Sequence, residues 1–334
     1  MFKNYSNHLS LSTALIMGLV LVGCSASTSK LPVLNEAALS GSAANGFIRV
    51  AKTQRIRVDK VKKLVIPSFN VTYKLMVEGK VISVSEDGLN KITTNIKVNM
   101  ENPNITMMQR VTNKAYNIFV DEMKKANFEV VSIDEVSKSE AYSQVNHKNL
   151  VTSIGPDDEN ITLVADGLKF YDPDEKMDPD GGFWMGVSNV NSAVNGDLVD
   201  KFGGADAGVA AVNVNMTVQF GNFDLDNHRI SASIAFNPSF TAIVADGTNM
   251  EVITQFKSVS MPGRVFYIPE ESAMYSLNQD LGSRTNVIAG IQEVNSTENS
   301  KEYTATINEA GFEKAGVEQI ERLSQLFVKA MKGQ

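Results

Sequence analysis

A single cysteine, Cys24, is the feature that most limits what this chain can become. One thiol cannot close a disulfide within the chain, so no covalent staple holds the fold. Stability has to come from a buried apolar core. The composition allows one: 43% of the residues are hydrophobic and 21% are charged, the balance of ordinary globular proteins. Net charge is −7 and the pI is near 5.2. The one dense basic run, Lys60-Val61-Lys62-Lys63, leads straight into an apolar segment and reads as a solvated edge. An acidic chain with so little clustered positive charge is not built to bind nucleic acid.

The position of Cys24 carries further meaning. Residues 1–8 are polar and include Lys3, and residues 9–22 are apolar apart from Ser10, Ser12 and Thr13. That stretch is shorter than the ~20 residues a helix needs to cross a bilayer. A charged start, a short apolar centre and a small-residue exit describe a secretory signal peptide. Leu21-Val22-Gly23-Cys24 resembles the lipobox of bacterial lipoproteins at every position. The resemblance implies cleavage before Cys24, diacylglycerol on its sulfur and acylation of the new amine. Each buried CH₂ contributes ~0.8 kcal/mol, so several acyl chains make a lasting anchor. Ser25 follows instead of Asp, which in lipoproteins favours the outer membrane. The expected organisation is a signal peptide over 1–23, a flexible Ser/Ala-rich tether over 24–46, and a single α/β domain over 47–334 with a hairpin insertion at 70–104.

Periodicity predicts the elements of that domain. Leu64-Val65-Ile66 reads as a buried strand that Pro67 ends. Residues 75–85 and 91–100 read as a hairpin across Asp87-Gly88. Residues 106–126 read as a helix with a Thr106/Gln109 capping box, an apolar stripe through Met108, Val111, Ala115, Ile118, Phe119 and Met123, and Lys124 and Lys125 in its last turn. Asn127 suits a left-handed cap. A strand over 128–133, a short helix over 137–145, a strand over 161–165 and a helix over 191–202 follow, the last ended by Gly203-Gly204. A long strand over 207–223 is next. Segments 230–244 and 250–260 are expected to pair across Asp246-Gly247, with a short strand over 264–268. Residues 287–294 read as a weak helix, 302–307 as a strand, and 309–332 as an amphipathic helix. The fold class is therefore α/β (α+β): a mixed sheet with long antiparallel hairpins packed against two main helices.

This order, from the strand near residue 64 through Glu129-Val130-Val131 to a helix ending in Gly203-Gly204-Ala205-Asp206, resembles a known arrangement. It is similar to the periplasmic α/β domain of the curli-secretion lipoprotein (CsgG-like) family. Relatives of that family include the N-terminal domain of TolB and small outer-membrane assembly lipoproteins. The resemblance covers roughly 63–260 and the last helix. It implies an accessory role in envelope secretion or assembly, with envelope proteins and further copies of the chain as partners. The hairpin within 70–104 departs from the family pattern. No pair of hairpins with ~10-residue alternating strands and aromatic girdles is legible, so a membrane pore is not carried over.

Two segments have the residue types for binding. Asp172, Asp174, Asp178 and Asp180, with Gly181 beside them, can bring several oxygens to the ~2.4 Å that Ca²⁺ requires. Their spacing is not that of an EF-hand loop, and a rigid solvated turn is the plain alternative. Phe183-Trp184-Met185 holds the only tryptophan and has the composition of a partner-binding hot spot. Its alternative is an apolar cap folded onto the core. Beyond residue 24 the histidines are His147 and His228, and no His-Glu-x-x-His, Gly-x-Ser-x-Gly or Gly-x-Gly-x-x-Gly occurs. The leading expectation is a non-enzymatic periplasmic lipoprotein attached to the bilayer by acylated Cys24. An envelope hydrolase with an unrecognised site and a Ca²⁺-dependent binding module remain as alternatives.

Overall fold

The computed structural model describes residues 49–50, 60–84, 91–143, 158–169, 190–220, 222–226, 233–237, 249–253, 263–267, 287–297 and 300–332. In chain order these form β1 (Arg49–Val50), β2 (Lys63–Lys74), β3 (Met76–Val84), β4 (Lys91–Glu101), α1 (Ile105–Lys125), β5 (Glu129–Val130), α2 (Ile133–Ser137) and α3 (Glu140–Ser143). Then come β6 (Asn160–Val164), α4 (Val190–Lys201), a 3₁₀ turn (Ala205–Ala207), β7 (Val209–Gln219), β8 (Asn222–Asp226) and β9 (Ser233–Asn237). The chain continues through β10 (Asn249–Ile253), β11 (Gly263–Tyr267), β12 (Ile288–Ser296), β13 (Ser300–Ile307) and α5 (Glu309–Lys332). The class is mixed α/β, with parallel and antiparallel pairing and two long helices.

The main sheet has the order β1-β11-β10-β7-β2-β5, and β6 takes the rest of β2's outer edge. β2 runs parallel to β7 and β5 and antiparallel to β6. Pro67 does not end β2, which continues to Lys74. The ladder to β7 steps from Val65↔Ala211 to Ser68↔Asn213, so β2 carries one extra residue there. Pro67 lies in this bulge, where its missing N–H leaves no gap in the ladder. Its carbonyl accepts a hydrogen bond from the buried Tyr142 hydroxyl at 2.8 Å.

Alternation along β2 places Phe69, Val71 and Tyr73 on the side of α1. Phe69 meets Tyr116 edge-on at 5.6 Å and Phe119 at 5.6 Å between ring centroids. The Tyr73 hydroxyl reaches the Met108 carbonyl at 2.9 Å. Of the expected stripe of α1, Met108, Val111, Ala115, Phe119 and Met123 are buried and Ile118 is half-buried. Its cap differs from expectation. Asn104 is the N-cap, accepting from the Met107 N–H at 3.0 Å. Gln109, freed from any box with Thr106, donates to the Val164 carbonyl at 2.7 Å and ties α1 to β6. Asn127 does adopt the left-handed conformation, at φ 67°.

A second sheet has the order β12-β13-β4-β3. Residues 288–296, inside and beyond the expected helix, are a strand. The expected pairing of 230–244 with 250–260 is also replaced. β9 pairs with β8, and β10 has both edges occupied, by β7 and β11. A strand has two edges, so the described part of β10 has none left for β9. Two hairpins therefore meet side by side, with β4 and β13 parallel at the seam. Each leads into a long helix capped by an asparagine: Asn308 Oδ1 accepts from the Gly311 N–H at 3.2 Å as Asn104 does in α1. The helices are clamped together by Arg110 and Lys114, both on Glu313, and by Asn104 donating to Glu309 at 2.8 Å.

Candidate interaction surface

The four-stranded sheet carries the two large exposed hydrophobics of the described residues. Its two faces differ because residues in register share a side. Val77, Val98, Met100 and Ala305 are buried on one face near the helices. Glu78, Lys97, Asn99, Glu101, Glu302 and Thr306 form the other. On that polar face Asn99 Nδ2 donates to Glu302 Oε1 at 2.7 Å, and the Thr306 hydroxyl donates to Glu101. These bonds cross the β4–β13 seam and hold the two hairpins in one sheet. Tyr303 is the only aromatic residue in the four strands. Partial burial first, then the hydrogen bond and charge of Glu293, hold its hydroxyl above the ordinary tyrosine value.

β12 is the outer strand. Among the described strands it pairs with β13 alone, so its other edge has no partner there. Ile288 is buried, but every later residue of β12 is exposed. Ile291 is 45% and Val294 57% exposed, the two large exposed hydrophobics of the described residues. The ladder is irregular between Ile288 and Gly290 and between Glu293 and Asn295. Such bulges twist an edge and limit indiscriminate pairing. They also explain why the strand was hard to read. Each bulge consumes one residue, so Ile288 and Ile291, three apart, register with Ile307 and Ala305, two apart. Three-residue apolar spacing imitates a helix.

Cys24, the acidic residues Asp172, Asp174, Asp178 and Asp180, and the Phe183-Trp184-Met185 cluster all lie outside the described residues, as do His147 and His228. Among the described residues no group of three or more His, Cys, Asp or Glu side chains could hold a metal ion. No described helix is long and apolar enough to cross a membrane. Comparison with protein-family profiles, with curated proteins and with solved structures finds no match to this chain.

Proposed function

We propose that this chain is a lipoprotein of the cell envelope, anchored at the outer membrane through acylated Cys24 and facing the periplasm. Its α/β domain acts as a non-enzymatic accessory in secretion or assembly. It joins envelope partners, or copies of itself, along the four-stranded sheet. The observation that carries this reading is the edge of β12, a strand exposed from Ala289 onward with Ile291 and Val294 in the open. A free strand edge presents a row of backbone donors and acceptors, and adding a strand to such an edge is a general mode of recruitment. The lipobox sequence supports the membrane part of the reading.

Two measurements on the full chain test it. Mass spectrometry of the membrane fraction should find an N-terminal peptide that begins at Cys24 and carries acyl chains. Cys24→Ser should move the protein into the soluble fraction, and an unchanged distribution would remove the anchor from the proposal. Light scattering in detergent should show assembly that Val294→Lys weakens. A chain that stays monomeric at every concentration, and that no envelope protein cross-links at β12, would remove the sheet edge.

A further inference from the structure

The main sheet has a second unusual surface, on the side of β2 away from Phe69, Val71 and Tyr73. Down β2 it presents Ser68, Asn70 and Thr72, and down β7 the residues in register with them are Asn213, Asn215 and Thr217. All six side chains are neutral and polar. Ser68 is 0% and Asn70 4% exposed, and Asn213 and Thr217 are buried as well. Part of the row satisfies itself. Asn70 Nδ2 donates to Asn215 Oδ1 at 2.9 Å, and the hydroxyls of Thr72 and Thr162 lie 2.8 Å apart. Two atoms of β2 are left over. Ser68 Oγ and Asn70 Oδ1 are buried and find no hydrogen-bond partner among the described residues.

Buried polar groups in folded proteins nearly always have a partner, because leaving one unpaired forfeits the bond it made to water. Here the two atoms belong to residues two apart on one strand, on the same face, roughly 7 Å apart along the backbone. A pair of waters bonded in series at ~2.8 Å spans such a gap. The chemistry of the row selects the ligand. The six side chains carry no charge of their own, and their amides and hydroxyls can both donate and accept. We infer that this face of the main sheet holds ordered internal water between β2 and β7. A water donates to Asn70 Oδ1, while the Ser68 hydroxyl donates to or accepts from its neighbour. The site would explain how the sheet tolerates six polar residues at its centre, next to the bulge at Pro67. It is independent of the proposed function.

Thermal unfolding of the full chain with Ser68→Ala tests the inference, because the two possibilities differ in sign. If the hydroxyl binds water, its loss strands that water and lowers Tm by about 2–4 °C. If the hydroxyl is truly orphaned, removing it leaves Tm unchanged or raises it, and the inference fails. Ser68→Cys controls for volume, since a thiol fills the space but bonds weakly. Recovery of Tm with Cys would show that the loss was one of packing and would equally overturn the inference. A high-resolution crystal structure should place solvent within about 3.2 Å of Asn70 Oδ1. A protein side chain or dry packing in that place would refute it.

Discussion

β7 and β12 are strands of similar length, 11 and 9 residues, with opposite fates. β7 is buried at every position except the half-buried Asn215, and β12 is exposed at every position except Ile288. Apolar content alone does not separate them, since β7 carries Asn213, Asn215, Thr217 and Gln219, and β12 carries Ile291 and Val294. Their neighbours do. β7 is paired on both edges, by β2 and β10, and belongs to the sheet that α1 covers. β12 has β13 on one side and no described strand on the other. Burial is thus a property of position in the sheet, and polar residues can be carried inside when hydrogen bonds accompany them.

Substitutions can break or sharpen this contrast. The largest effect is expected in the main sheet. Phe69→Ala removes a fully buried ring lying between Tyr116 and Phe119 and should cost about 3–5 kcal/mol in denaturant unfolding. A loss below about 1 kcal/mol would mean that β2 is not the centre of the core. Val294→Lys, by contrast, should leave stability within about 0.5 kcal/mol of the parent.

Next in size is Tyr142→Phe. The Tyr142 hydroxyl donates to the Pro67 carbonyl and accepts from the Lys169 N–H at 2.6 Å. Burial pushes this hydroxyl up to about 12, so it remains protonated and able to donate throughout the neutral range. Phenylalanine would leave both backbone groups unpaired, for an expected loss of about 1–3 kcal/mol. An unchanged unfolding midpoint would show that the bulge needs no such support.

A smaller effect than that of Tyr142→Phe belongs to the clamp between α1 and α5. Lys114 first, and then Arg110, hold the Glu313 carboxyl below its ordinary value. A depressed carboxyl stabilises the fold above its unfolded pKa, and that contribution fades as pH falls through the folded one. The partners are about half exposed, at 49% for Arg110 and 53% for Lys114, so solvent screens the pair. Glu313→Gln should cost less than about 1 kcal/mol at pH 7. The gap between variant and parent should close as the solution is acidified below the ordinary carboxylate range. A gap that widens in acid would contradict the assignment.

Local chemistry made much of this fold legible. α5 spans the predicted residues because Phe312, Ala315, Ile320, Leu323, Phe327 and Met331 repeat at helical spacing, and all are buried. The expected hairpin over 75–85 and 91–100 is present as β3 and β4, and Asn127 took the left-handed φ expected of it. Other features depended on partners distant in sequence. Pro67 looked like a strand end because nothing local announces a bulge. Residues 287–294 looked helical because two bulges spoil the alternation of the strand that runs over Ile288–Ser296. The candidate surface on β12 was illegible for a related reason: exposure depends on which strands fail to arrive. The candidate binding segments read from composition, 172–180 and 183–185, and the lipobox-like Leu21-Val22-Gly23-Cys24 lie outside the described residues. Their support remains the sequence itself.

By itself, the sequence determined that no disulfide could staple this chain, that two long amphipathic helices would form, and that its strands would need a shared core. Those outcomes follow from the count of thiols and from periods of 3.6 and 2, which operate over a few residues. The tertiary structure decided which strands became interior. It joined two hairpins some 190 residues apart into one sheet, gave both edges of β10 to β7 and β11, and left the outer edge of β12 without a described partner. Pairing partners come from anywhere along the chain, and each strand has only two edges to give. The allocation is therefore settled by competition among all the strands at once, which no local pattern contains.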